Sequence, residues 1–197
     1  MKFLITNATK GVGFNLVSKF ANQNIPVTFT CDSFQKISFI EKLYSHRNVE
    51  GFHLNTNCNS SINDFLFFLH NEKIKPNIII HNEDNPQNNC YKKITNFLIP
   101  SINNGGYIIF VSPPLHFKSI SSQNILQTKY MHSLKKLENE NIFTNSVWSK
   151  NKNPNYNLMS ECIYEIILNP YINVNINNHS VIDSEFLADR NININNF

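Results

Sequence analysis

KFLITNATKGVGFNLVSKF, residues 2–20, decides how the rest of the chain is read. Its first part, Lys2–Thr6, is a short apolar run that predicts a buried strand, and its last part carries Phe14, Val17 and Phe20 at the spacing of one helix face. Between them TNATKGVG, residues 6–13, is a tight turn that closes a strand and opens a helix. That context gives a glycine pattern chemical meaning. A helix N-terminus offers unpaired N–H groups and a partial positive charge, and residues lacking Cβ let a diphosphate come close to the backbone.

Outward from this stretch the strand–helix unit repeats. Pro26–Cys31 reads as a strand, Phe34–Ser45 as a helix with Ile37, Ile40 and Tyr44 on one face, and 49–54 as a strand. Ile62–Glu72 reads as a helix directing Phe65, Phe68 and Leu69 to the sheet. NIIIH at 77–81 and YIIFV at 107–111 are unalternating and β-branched, as strands buried on both faces are. A helix is expected around 90–102, another at 122–138 with Leu126, Tyr130, Leu134 and Leu137 in one stripe, and a strand at Phe143–Val147. Past residue 150 the pattern weakens to a loop, a helix at Leu158–Leu168 and a last strand within Asn173–Asp183. The repeated alternation predicts an α/β domain: a Rossmann-type doubly wound parallel sheet of six or seven strands between two helical layers, a three-layer α/β/α architecture.

The 197 residues suit one domain spanning 1–197, with no internal repeat or boundary. A formal net charge of +3 falls far short of the clustered basic excess of a nucleic-acid binder, so no nucleic-acid partner is expected. Cys31, Cys58, Cys90 and Cys162 are widely spaced, without a Cys-x-x-Cys pair or matching histidines. They read as ordinary reduced thiols, with no metal site. The opening MKFLIT is too short for a signal-peptide core, and no apolar run of about 20 residues occurs. The expectation is a soluble, cytoplasmic protein without membrane contact. Asparagine is abundant, but apolar periodicity continues through it, so the bias reads as AT pressure on the coding sequence rather than as disorder.

Thr6, Gly11 and Gly13 match the Thr-Gly-x-x-x-Gly-x-Gly pattern, and the segment resembles the cofactor turn of the short-chain dehydrogenase/reductase family with Asn7 in place of the first glycine. Asparagine tolerates left-handed backbone better than most residues, so the turn survives the exchange. Asp32 ends the second strand 19 residues after Gly13, near the spacing at which an acid meets the adenosine ribose hydroxyls. The family's acid often stands one residue earlier, at Cys31, and a solvated loop aspartate is the alternative reading. LNTN at 54–57 resembles the family's Asp-Val-Thr stretch, which would put Asn55 by the adenine amine. HNED at 81–84 resembles Asn-Asn-Ala-Gly, with Asn82 retained. The resemblance implies a dinucleotide site formed by Thr6, Thr9, Lys10, Gly11, Val12, Gly13, Asp32, Asn55 and Asn82. An acid at Asp32 would repel a 2′-phosphate, so NAD is favoured over NADP. The likeness is strong over 1–111, partial over 112–147 and weak over 148–197.

In that family a serine after the fifth strand and a Tyr-x-x-x-Lys pair on the next helix carry the acid–base step. Aligning GGYIIFVSPP (105–114) with the family's Gly-Arg-Ile-Val-x-x-Ser-Ser puts Pro113 in the serine's slot and leaves Ser112 one residue early. Counting back from LKKLENENIFTNSV (134–147) puts the tyrosine slot at Ser119 or Ile120 and the lysine slot at Gln123 or Asn124. Neither pair can do acid–base work at neutral pH. Tyr130 and Lys135 would point about 140° apart on a helix, so Tyr130 is expected to face the core.

Trp148-Ser149-Lys150 replaces the Pro-Gly pair beside the nicotinamide, and a shortened stretch before the fifth strand removes a helix that commonly supplies the dimer face. The resemblance therefore implies a degenerate member without catalytic residues, serving as a structural or regulatory subunit. Its expected partners are a second copy, or an active relative in a hetero-oligomer. An active NAD(P)-dependent oxidoreductase using Ser112 and a relocated tyrosine stays open, as does another nucleotide or nucleic-acid binder on this fold. Lys129, Lys135 and Lys136 would suggest the last, but a solvated helix face explains them.

Overall fold

The computed structural model describes residues 1–82, 90–102, 105–111, 130, 133–134, 137, 142–148, 155–168 and 179–181. Seven strands form one sheet: β1 (Phe3–Thr6), β2 (Val27–Cys31), β3 (Val49–His53), β4 (Ile78–Asn82), β5 (Gly106–Val111), β6 (Ile142–Trp148) and β7 (His179–Val181). Their order is β3-β2-β1-β4-β5-β6-β7, and every neighbouring pair is parallel. The chain thus winds outward from β1 in one direction and, after crossing back to β4, in the other. The reversal between β1 and β4 opens a crevice at the carboxyl edge, where ligands of such sheets bind.

Helices α1 (Gly11–Asn22), α2 (Phe34–Leu43), α3 (Asn59–Asn71), α4 (Cys90–Leu98) and α5 (Tyr156–Leu168) cover the sheet. Strand alternation sorts the apolar runs between the two faces. Ile78, Ile80, Tyr107, Ile109 and Val111 pack with Leu16, Phe20, Ile37 and Ile163 of α1, α2 and α5. Ile79, Ile108 and Phe110 pack with Phe65, Leu69, Ile94 and Leu98 of α3 and α4 on the opposite side. Both faces are needed to bury the runs that the sequence leaves unalternated. Parallel to α1 lies α5, tied to it by Asn15 Nδ2 donating to Asn157 Oδ1 at 2.7 Å, the Lys19–Glu161 ion pair and Tyr164 Oη donating to Gln23 Oε1 at 2.7 Å.

Several boundaries differ from expectation: α3 begins at Asn59 rather than Ile62, and α5 at Tyr156 rather than Leu158. Helix α1 starts at Gly11, so Gly13 lies within the first helical turn rather than before it. The helix expected over 90–102 stops at Leu98 and continues as a 3₁₀ turn, Ile99–Ser101, because Pro100 lacks the N–H that would extend it. Helix α2 stops at Leu43, short of Ser45. Within 122–138, Tyr130, Ser133 and Leu134 are helical, and the remainder of that expected helix lies outside the described residues except Leu137. Of the expected strand Asn173–Asp183, only His179–Val181 is described.

Candidate functional site

The β1–α1 turn sits at the carboxyl edge of β1, between the ends of β2 and β4. Its backbone is tied to both. On one side Asn7 N donates to Thr30 Oγ1 at 3.2 Å and Ala8 N to Thr30 O at 2.9 Å. On the other, Asn82 N donates to Thr6 Oγ1 at 3.2 Å, and Asn82 Nδ2 donates to Asn7 O at 2.9 Å. Asn7 adopts φ +49° and Gly11 φ +56°, so the left-handed bend expected of the turn is made, with Asn7 standing where glycine would be easiest. Gly13 is required for a different reason. A Cβ there would come within 2.6 Å of Asn82 Nδ2 and 2.9 Å of the Ala8 Cα. Thr6 and Val12 are buried and serve the packing, while Thr9 is half-buried and Lys10 exposed at the rim.

Helix α1 opens on Lys10, whose side chain makes no cap hydrogen bond. Its first N–H groups therefore receive no capping oxygen from the side chain of the preceding residue, the arrangement that favours an anion.

Asp32, exposed at the end of β2, is linked to this turn through Cys31. The Cys31 thiol lies 3.4 Å from Thr9 Oγ1 and 3.5 Å from Asp32 Oδ1, and accepts from Ser33 N at 3.2 Å. The Cys31 thiol thus lies between Thr9 of the turn and the Asp32 carboxylate. Beside it the His53 ring stacks on Phe34 at 4.0 Å between centroids, and its Nε2 lies 3.2 Å from Asp32 O. Asn55 lies at the end of β3, and its hydrogen bonds stay within its own loop: N to Ser61 Oγ at 3.0 Å, and Oδ1 from Asn57 N at 3.0 Å. The structure therefore gathers Thr6, Thr9, Lys10, Gly11, Val12, Gly13 and Asn82 into one turn with Asp32 adjoining, and leaves Asn55 at the neighbouring strand end.

Beneath the turn, His81 pairs with Thr6 in register and is completely buried. Its Nε2 is 2.8 Å from Thr95 Oγ1, whereas Nδ1 has no hydrogen-bond partner among the described residues. Burial pushes its pKa down to about 3, so the ring is neutral near pH 7. Nε2–H donating to Thr95 is the favoured tautomer, because an unpaired lone pair in the core costs less than an unpaired N–H.

Tyr130 packs as expected of a core-facing aromatic: its ring lies 5.6 Å from that of Tyr91 and 6.3 Å from that of Phe110 on β5, edge to face with the latter. Its hydroxyl donates to Asn96 Oδ1 at 2.8 Å. Burial first, and Tyr91 after it, raise its pKa to about 12 against a lowering contribution from Thr95. An activated acid–base tyrosine needs the opposite shift. The slots at Ser112, Pro113, Ser119, Ile120, Gln123 and Asn124, together with Lys135, lie outside the described residues.

The sequence does not mark Tyr156 or His53 as neighbours of this turn, and it marks Cys31 only as the position where the family's acid often stands. Tyr156 opens α5, and three of its ring carbons lie 3.4–3.6 Å from the position a Gly11 Cβ would take. No local pattern marks it, since α5 reaches the turn only through the packing of α5 on α1. All four cysteines are free, and no group of His, Cys, Asp and Glu among the described residues could hold a metal ion. No helix among the described residues is long and apolar enough to cross a membrane.

No protein-family model matches the chain, and no curated protein matches it by sequence. Solved structures do. Serine dehydrogenase from Escherichia coli is similar with a TM-score of 0.77 at 15% identity, covering 92% of this chain and 97% of that one. A short-chain dehydrogenase/reductase from Serratia marcescens gives 0.72 at 12% identity, covering 94% and 97%. A metagenomic short-chain oxidoreductase in complex with NADP gives 0.74 at 11% identity, covering 92% and 96%. The chain has the fold of the short-chain dehydrogenases/reductases over nearly its whole length.

Proposed function

We propose that this chain binds a dinucleotide at the β1–α1 turn, prefers NAD(H) over NADP(H), and does not carry out hydride transfer by the acid–base step of short-chain dehydrogenases/reductases. The observation that supports it most is the turn itself. It lies at the strand-order reversal, bends through Asn7 and Gly11, is closed by Gly13 against Asn82, and opens a helix whose leading residue supplies no cap. The donor set fits a diphosphate in kind: backbone N–H groups at a helix start, with no carboxylate in the turn. Asp32 would meet the ribose hydroxyls and repel an added 2′-phosphate. One structural neighbour is complexed with NADP, so the preference is the point most open to test.

The non-catalytic part rests on the residues in the family's slots, Pro113 for serine and Ile120 with Asn124 for the Tyr–Lys pair, and on Tyr130 being turned into the core. Such a chain would act as a structural or regulatory subunit, in a homodimer or beside an active relative. The experiment is thermal-shift titration with NAD, NADH, NADP and NADPH, followed by NADH-dependent reduction of a carbonyl panel. A ligand binding only the folded state raises the melting temperature, by about 2.7 kcal/mol of stability at a hundredfold excess over Kd. The expected result is a larger rise with NAD(H), a preference lost in Asp32→Ala, and no carbonyl reduction. No rise with any dinucleotide overturns the binding reading, and reduction abolished by Tyr130→Phe overturns the non-catalytic one.

A further inference from the structure

Strand β3 stands at one end of the sheet and pairs with β2 alone, so one side of its backbone faces away from the sheet. Which residues face outward follows from the ladder. Val27 N donates to Asn48 O at 2.8 Å and Leu54 N to Cys31 O at 2.7 Å, so the even-numbered residues of 48–54 bond to β2, and Val49, Gly51 and His53 turn their N–H and C=O groups outward. Such a row is a template for a further strand. Here two of its donors are already engaged within the chain. Val49 N donates to Arg47 O at 2.9 Å, and Gly51 N, in the middle of the strand, donates to Glu41 Oε1 at 2.8 Å. Glu41 reaches the edge because Gly51 has no Cβ. A Cβ there would lie 2.4 Å from Ile37 Cγ2 and 2.7 Å from Phe29 Cζ, so glycine lets α2 settle onto β3 and brings Glu41, one helical turn after Ile37, over the edge.

We propose that Glu41 guards the β3 edge: by occupying the Gly51 N–H it keeps this strand from pairing with the β3 of a second copy, and without it two copies join edge to edge. A second copy is the occupant that the geometry fits. Two β3 strands meeting antiparallel about Gly51 would exchange a pair of hydrogen bonds, each Gly51 N donating to the other's Gly51 O. That pairing needs the very donor that Glu41 holds. Apolar surface beside the outward carbonyls adds to the attraction once the guard is gone, since Phe34 is 69% exposed and stacks on His53 at the end of the same strand. The inference is independent of the dinucleotide reading, and a homodimer of the kind proposed above would use another face.

Sedimentation velocity of the full chain over a concentration series tests this. Glu41→Ala removes the acceptor while keeping a good helix former at that position. It is expected to self-associate about ten- to a hundredfold more tightly than the unaltered chain, because each pair of copies gains two backbone hydrogen bonds. Glu41→Gln keeps an acceptor oxygen at the same reach and should associate like the unaltered chain. Amide hydrogen exchange locates the surface: Gly51 should be protected at every concentration in the unaltered chain, whereas in Glu41→Ala it should exchange fast when dilute and slowly when concentrated. Equal association of Glu41→Ala and the unaltered chain overturns the proposal, as does association of Glu41→Gln to the degree of Glu41→Ala. So does self-association of Glu41→Ala in which the Gly51 amide stays fast, since the copies would then meet elsewhere or through unfolded chain.

Discussion

Helices α1 and α2 start at the same carboxyl edge and cover the same face of the sheet, yet their first turns are finished differently. Helix α2 begins on Ser33, whose hydroxyl accepts from Lys36 N at 3.4 Å, so part of its orphan donor set is satisfied locally. The preceding residue of helix α1 is Lys10, which makes no such bond, and the turn is held instead by its neighbours, Thr30 on β2 and Asn82 on β4. A self-sufficient start stabilises its own helix. A start left short of acceptors, and surrounded by residues brought from elsewhere, is suited to receiving a ligand.

The largest test of this contrast is acid. His81 lies under the α1 turn and is held neutral by burial down to about pH 3, while the unfolded chain takes up that proton below the ordinary value near 6.5. Between those two values the unfolded state binds a proton that the folded state refuses, so stability falls as pH falls, by about 1.4 kcal/mol per pH unit. Above pH 6.5 the group contributes no pH dependence. Urea titrations from pH 7 to pH 4 should lose roughly 3 kcal/mol through this group, and His81→Gln should flatten the decline. An unchanged slope in the variant would remove His81 from the account.

A smaller effect separates the two glycines. Gly13→Ala forces a Cβ against Asn82 and backbone, and should destabilise by about 2 kcal/mol, seen as a fall in Tm of several degrees. Gly11→Ala would find the nearest atoms, those of the Tyr156 ring, at ordinary contact distance but must hold a positive φ, costing about 1 kcal/mol. Equal losses at the two positions would mean that Asn82 yields more easily than its hydrogen bond to Asn7 suggests.

The smallest expected effect concerns the caps themselves. Ser33→Ala should lower stability by about 1 kcal/mol, whereas Lys10→Ser should raise it by about 0.5 kcal/mol by giving α1 the cap it lacks. The same Lys10→Ser change should weaken NAD binding, because its hydroxyl would compete for a donor that the ligand needs. Stabilisation without loss of affinity would show that the missing cap has nothing to do with binding.

Much of the fold was legible because its signals are local. The runs IIIH and YIIFV, the helical spacing of Phe14, Val17 and Phe20, and the strand–turn–helix around Gly11 and Gly13 each depend on neighbours within a few residues. Asn7 could be placed in left-handed backbone on its own side chain's tolerance, and φ +49° agrees. Pro100 shows a local signal passed over, since the missing N–H that ends α4 is written in the residue type.

What the sequence by itself determined, then, is the alternating order of strands and helices and the presence of a glycine turn after the first strand, because periodicity and backbone preference are properties of short segments. Tertiary structure decided which distant residues meet at that turn. Asn82 reaches Gly13 only because β4 pairs with β1, Tyr156 reaches Gly11 only because α5 packs on α1, and His81 becomes a buried, half-partnered ring only because Thr95 and Phe110 close over it. Contacts of this kind are set by sheet order and helix packing, and no spacing along the chain encodes them.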